Sequence, residues 1–205
     1  MNEFHHVFIP ARESRRTLLL LHGTGGNERD LLPLGHAIDE GAALLSPRGQ
    51  VLENGAPRYF RRLAEGIFDE KDVIARAHEL AEFITAAIKR YLIDETALVA
   101  IGYSNGANIA SAMILLGLAR FRRAILLRPM VPLSNSPMTL LRDFQLFLSR
   151  GRFDSIASVE QVEALAELFR ERGAEVDVQT QESGHELTTA DVAAAREWLA
   201  STAIA

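Results

Sequence analysis

The chain has no cysteine. That absence excludes disulfides, thiolate metal sites and a cysteine nucleophile together. No apolar run approaches the roughly 18 residues that a membrane span requires, so no stable membrane insertion is expected. Residues 1–10 carry His5 and His6 but no apolar core. A secretory leader would need one, and the cytoplasm is therefore the expected location. Lysine and arginine form no long cluster. Arg15-Arg16 and Arg122-Arg123 each stand just before an apolar segment and read as solvated strand entrances. With a formal charge of −5, the chain offers no electrostatic footprint for nucleic acid.

What is present is ordinary for a soluble globular protein: 205 residues, 48% hydrophobic and 24% charged. The length suits one domain over residues 1–205, and no break in composition marks a second. Five apolar runs are short and continuous, as in strands buried on both faces. They are Thr17-Leu18-Leu19-Leu20-Leu21, Ala42-Ala43-Leu44-Leu45-Ser46, Ala97-Leu98-Val99-Ala100-Ile101, Ala124-Ile125-Leu126-Leu127 and Gln145-Leu146-Phe147-Leu148. Residues 3–9 alternate loosely and predict an edge strand closed by Pro10. Val176 and Val178 alternate in a last strand.

Helical spacing runs over 28–38, over 73–91 and over 159–172, where Gly173 stops it. The second of these carries one apolar stripe through Val73, Ala77, Leu80, Ile84, Ile88 and Tyr91. A final helix starts near Thr188 or Thr189 and is anchored by Val192, Ala195, Trp198 and Leu199. Residues 50–68 have no period and read as a long loop, and residues 133–143 as a loop or short helix. Tyr59, Phe60 and Phe68 make the first too aromatic for disorder, and loops of that length are usually functional. Strand and helix in alternation predict an α/β fold with a mostly parallel central sheet and helices on both faces. Ligands of such sheets bind at the carboxyl ends of the strands.

One pentapeptide stands out at such an end: Gly102-Tyr103-Ser104-Asn105-Gly106, between a buried-strand run and a helical run. A serine in so abrupt a strand-to-helix turn is strained and exposed above the sheet edge, the geometry of a nucleophile elbow. Its hydroxyl needs a base, and the base an orienting acid. Only His185 lies C-terminal to Ser104 among the histidines. Among the aspartates, Asp143 precedes its strand, Asp177 sits inside one, and Asp191 falls in a first helical turn, where the dipole favours it. Asp154 alone follows the end of a buried strand. The order Ser104, Asp154, His185 is the one this kind of sheet requires. The Asn105 N–H, next to the serine, is one oxyanion donor. The turn His22-Gly23-Thr24-Gly25-Gly26 supplies the other, from Thr24 with Gly25 as the alternative. His22 precedes the serine and reads as a structural hydrogen-bonding residue of the cleft wall.

These motifs together resemble the α/β-hydrolase carboxylesterase/phospholipase family, which includes acyl-protein thioesterases. Ser46-Pro47-Arg48-Gly49, Arg58-Tyr59-Phe60-Arg61-Arg62-Leu63 and Leu127-Arg128-Pro129-Met130-Val131-Pro132 are similar to a bacterial branch, some of whose members are linked to hydroquinone or quinone stress. The resemblance covers nearly the whole chain. It implies an α/β-hydrolase fold without a large lid domain and a serine esterase that needs no metal or cofactor. Thioesterases of the family carry Gln where this chain has Asn105, so protein deacylation is not carried over. The expected substrate is a small to medium carboxylic ester, cleaved through an acyl-Ser104 intermediate. A lactone or C–C hydrolase acting on aromatic or quinone-derived compounds is the alternative, and a non-catalytic small-molecule-binding protein is the alternative of another class. A homodimer is left open. Arg128, with Arg58 or Arg61, reads either as part of a loop-holding ion pair or as a binder of an anionic substrate group. Phe60, Phe68, Met130 and Phe153 are candidates for an acyl pocket.

Overall fold

The computed structural model describes residues 4–202. In chain order its strands are β1 (His6–Ile9), β2 (Thr17–Leu21), β3 (Ala43–Pro47), β4 (Val51–Glu53), β5 (Ala56–Arg58), β6 (Arg62–Ala64), β7 (Ile67–Phe68), β8 (Leu98–Tyr103), β9 (Arg123–Leu127), β10 (Gln145–Gly151) and β11 (Glu175–Gln181). The helices are α1 (Leu32–Ile38), α2 (Glu70–Tyr91), α3 (Asn105–Leu115), α4 (Val159–Glu171) and α5 (Thr189–Ser201). No helix among the described residues is long and apolar enough to cross a membrane.

The apolar runs form one seven-stranded sheet in the order β1-β3-β2-β8-β9-β10-β11. All its pairings are parallel except that of β1, which lies antiparallel on β3 at the edge. Alternation along each strand feeds two cores. Leu19 and Leu21 of β2, with Leu98 and Ala100 of β8, pack under α2, α3 and α4. Leu18 and Leu20, with Val99 and Ile101, pack under α1 and α5. A strand buried on both faces has no polar position, which is why these segments read as continuous apolar runs. Each fully buried leucine contributes roughly 1.5–3 kcal/mol relative to leaving it exposed.

The helix expected over 28–38 forms only at Leu32–Ile38. Pro33 would clash with a preceding helical turn, and Asn27 instead accepts the Arg29 N–H in a local turn at 2.8 Å. Residues 50–68 are not a loop but two small hairpins, β4–β5 and β6–β7. Asn54 (φ 50°) and Gly55 (φ 83°) make the first reversal, the two left-handed residues that a type I′ turn demands. Residues 133–143 form no helix. The edge strand predicted over 3–9 is β1, with Glu3 outside the described residues. The final helix is capped at Thr188, whose side chain accepts from Asp191 N–H in a capping box.

Helix α2 ends in an energetically awkward way. Leu92 is 90% exposed, adopts φ 54° and ψ 44°, and donates its N–H to Ile88 O. A side chain in the left-handed region strains against the backbone, and this is the helix position that glycine fills best. Leu92→Gly is expected to stabilise the fold by about 0.5–1 kcal/mol, after allowing for the entropy glycine adds to the unfolded chain. Urea unfolding measures it; equal or lower stability would contradict the strain assigned to this cap.

Candidate active site

The strand β8 and the helix α3 meet at Ser104 with no intervening loop, and Ser104 takes φ 50° and ψ −113°. Such a conformation costs on the order of 1–3 kcal/mol and persists only where the surroundings enforce it. Here Ser104 N–H donates to Leu127 O at 2.8 Å and Asn108 N–H to Ser104 O at 2.9 Å. The flanking glycines permit the approach: a Cβ on Gly106 would collide with Leu21 O at the end of β2, and one on Gly102 with Ala107. The register explains this closeness, because Gly102 lies opposite Leu21.

His185, from the loop between β11 and α5, lies beside this serine. Its Nε2 is 2.9 Å from Ser104 Oγ, and its Nδ1 is 2.8 Å from Asp154 Oδ2. An ionised carboxylate only accepts, so the imidazole hydrogen sits on Nδ1 and Nε2 is free to take the serine proton. Asp154 is itself fixed, since its Oδ1 accepts the N–H groups of Ile156 (2.8 Å) and Ala157 (2.9 Å). The two loops touch because β10 ends in Gly151, where a Cβ would collide with Gly184 O.

The glycine-rich turn after β2 sits next to the elbow. Gly25 N–H donates to Pro57 O at 2.9 Å, which removes it as an oxyanion donor and leaves Thr24. Asn105 is the first residue of α3, so its N–H has no intrahelical partner. Its side chain has a separate task, accepting the Tyr59 N–H at 2.7 Å. Residues 57–59 thus strap the turn to the elbow. His22 braces the same turn from behind: its Nδ1 is 2.7 Å from Gly23 O, and its Nε2 accepts Gly49 N–H at 2.9 Å. Burial pushes the His22 imidazole below its ordinary value, outweighing the opposing pull of the Gly23 carbonyl, Asp30 and Glu28. The ring is neutral and structural.

Of the arginines read either as loop-holding or as anion-binding, Arg128 takes the first role. Arg128 is fully buried and its donors are consumed within the protein. Nη1 and Nη2 grip Asp191 at 2.8 and 2.9 Å, and further bonds reach Ser149, Ser183, Gly184 O and Glu186 O. No N–H is left for a ligand, so the loop-holding reading replaces the anion-binding one. Arg58 is also buried, with Nε on Phe60 O and Nη1 3.0 Å from Glu53 in its own hairpin. Arg61 is exposed but paired with Asp69 at 2.9 Å. Phe60 is fully buried, edge-on to Phe68, and is core rather than open pocket wall. Met130 is buried too, its N–H on Asn108 Oδ1 and its methyl beside Gly66 of the β6–β7 turn. Phe153 is exposed next to Asp154.

Four residues around the site have contacts that the sequence does not signal. Tyr103 donates its hydroxyl to His185 O at 3.0 Å, and its ring lies 5.6 Å from the imidazole. Ser149, Ser183 and Asp191 surround the Arg128 guanidinium. Burial pushes Asp191 upward, yet the bonds from Arg128, Ser149 and Thr188 outweigh it and hold the carboxyl below its ordinary value. Only three-dimensional contact reveals these partners, since they come from β8, β10, the loop after β11, and α5.

The strand order, with a serine–histidine–aspartate hydrogen-bond chain at its carboxyl edge, defines an α/β-hydrolase fold. The model of the phospholipase/carboxylesterase family matches residues 2–203, and the chain belongs to that family of ester hydrolases. It is 45% identical over 185 residues to MhqD of Bacillus subtilis (strain 168), a protein provisionally named as a hydrolase, covering 90% of this chain and 92% of that one. The crystal structure of the Bacillus cereus carboxylesterase matches with a TM-score of 0.90 and 47% identity, over 94% of this chain and 91% of that one. A carboxylesterase from Mesorhizobium loti matches with a TM-score of 0.90 and 37% identity, over 93% and 91% of the two chains.

The neutral His22 ties stability to pH. Its folded pKa is lowered, so below the unfolded imidazole value of about 6.5 the unfolded chain takes up the proton more readily. The stability it contributes is complete above that value and is lost as pH falls toward the folded one. His22→Gln, which keeps an acceptor for Gly49 N–H, is expected to flatten the fall in Tm between about pH 7 and pH 5. Parallel slopes for the two proteins would contradict the buried neutral ring.

Proposed function

We propose that the protein is a serine carboxylesterase that cleaves small to medium carboxylic esters through an acyl-Ser104 intermediate. The observation that carries this reading is the unbroken hydrogen-bond chain from Ser104 Oγ through His185 to Asp154, at 2.9 and 2.8 Å. In the first half-reaction Ser104 Oγ attacks the ester carbonyl carbon while His185 Nε2 takes its proton. Asp154 holds the ring in the tautomer with hydrogen on Nδ1 and stabilises the imidazolium as it forms. The carbonyl oxygen becomes an oxyanion, and the N–H groups of Asn105 and Thr24 are the donors that meet it.

The C–O bond then breaks, and His185 returns its proton to the departing alcohol. Water enters where the alcohol left, gives a proton to His185 and attacks the acyl carbon. Collapse of the second tetrahedral species frees the acid and restores the Ser104 hydroxyl. Every proton moves through one atom, His185 Nε2, so the site needs neither metal nor cofactor.

With a short p-nitrophenyl ester, Ser104→Ala is expected to lower kcat on the order of 10⁵-fold or more. Retained turnover would sink the assignment. The wild-type rate is expected to fall on acidification, because a protonated imidazole cannot take the Ser104 proton. A rate that stays flat down to about pH 4, where carboxylates rather than imidazoles titrate, would contradict His185 as the base.

A further inference from the structure

Three consecutive carbonyls around the base are each held by a side chain. Arg128 Nε donates to Gly184 O at 3.1 Å, Tyr103 Oη to His185 O at 3.0 Å, and Arg128 Nη2 to Glu186 O at 3.0 Å. Arg128 itself is fully buried at the end of β9. It takes φ 55°, a left-handed conformation that an arginine adopts only under constraint. Its N–H still bonds Ser149 O at 2.8 Å, so the strained turn stays anchored to β10 while the guanidinium reaches the histidine loop and α5.

We propose that Arg128 is a positioning residue for the hydrolytic reaction, its guanidinium fixing the backbone on both sides of His185 so that the imidazole stays between Ser104 and Asp154. The proposal rests on the serine-esterase reading above. Its geometry suits only arginine. A planar fork with five N–H groups contacts Gly184 O, Glu186 O, Ser149 Oγ, Ser183 Oγ and both Asp191 oxygens, whereas a lysine ammonium has three donors at one point. Asp191 is held in turn by Ser149 Oγ and by Thr188, through its N–H and its hydroxyl, at the start of α5. The guanidinium is thereby braced against a helix end.

Stability alone does not account for this pair. Buried ion pairs are commonly replaceable by apolar side chains of similar volume without loss of stability. What an apolar pair cannot do is hold the carbonyls of Gly184 and Glu186. The charges also balance near the base. Arg128 Nε lies 4.0 Å from Asp154 Oδ2, and Asp191 cancels the arginine, leaving His185 to work against the Asp154 charge. The titratable and charged groups around His185 are Asp154 from the turn after β10, Tyr103 from β8, Arg128 from the end of β9, Asp191 from α5 and Glu186 on its own loop. Losing the arginine leaves an extra buried negative charge that favours the protonated imidazole. Losing the aspartate leaves an extra positive charge that disfavours it.

The test is steady-state kinetics over pH on one p-nitrophenyl ester, with Tm measured on each protein. The variants are Arg128→Gln, Asp191→Asn and the double variant Arg128→Met/Asp191→Leu, with Ser104→Ala as the blank. Arg128→Gln is expected to lose on the order of 100-fold in kcat with KM nearly unchanged, the effect of a small misplacement of a reacting group. The acid limb of its pH–rate profile should move to higher pH, and that of Asp191→Asn to lower pH. The double variant should regain stability but not kcat. Wild-type Tm together with wild-type kcat in the double variant would overturn the proposal. So would folded single variants whose acid limbs do not move. If Arg128→Gln does not fold, Asp191→Asn and the double variant decide the matter. Turnover that survives Ser104→Ala would instead overturn the serine reading, whatever the arginine variants do.

Discussion

Ser104 is held in a backbone conformation that a serine does not choose, φ 50° and ψ −113°, and the surrounding architecture follows from enforcing it. The strain, on the order of 1–3 kcal/mol, is offset by a parallel sheet on one side and a buried helix on the other. β8 lies between β2 and β9 with continuous register on both edges, so the elbow cannot unwind without breaking the centre of the sheet. Every residue of α3 is buried, and Gly106 brings that helix against the end of β2. The hydroxyl is presented at the sheet edge because the backbone beneath it is held by the sheet register and the helix packing.

Around this fixed point, the polar groups are satisfied in layers. The Asp154 carboxylate accepts two backbone N–H groups and the imidazole. Behind it lies the Arg128–Asp191 pair, sealed from water. Behind the glycine-rich turn lies His22, kept neutral by burial. The Asp154, Arg128, Asp191 and His22 side chains are thus each held by partners within the protein. A site arranged in this way has little to reorganise when charge develops on substrate and imidazole.

Much of this was legible in the chain itself. The strands read as apolar runs because both faces of a parallel sheet are covered, and the order Ser104, Asp154, His185 follows from where those runs end. The two hairpins do not show in the sequence although Asn54-Gly55 is a strong short-range turn signal; the short flanking strands, partly exposed, lack the alternation that supports it. Arg128 illustrates a different limit. An arginine after a buried strand looks like a ligand at the active-site edge, and its burial depends on Ser149, Ser183 and Asp191, up to 63 positions away. Asp191 reads in the sequence as a helix-dipole residue, in line with its capping box, but its ion pair has no local signature.

Covalent capture shows whether Ser104 is the nucleophile. Treating the native protein with a fluorophosphonate, then locating the adduct by peptide mass spectrometry, reads the reacting atom itself. A single adduct is expected, on the peptide carrying Ser104, appearing in step with the loss of esterase activity. An adduct on another residue, or full inactivation with Ser104 unmodified, would contradict it.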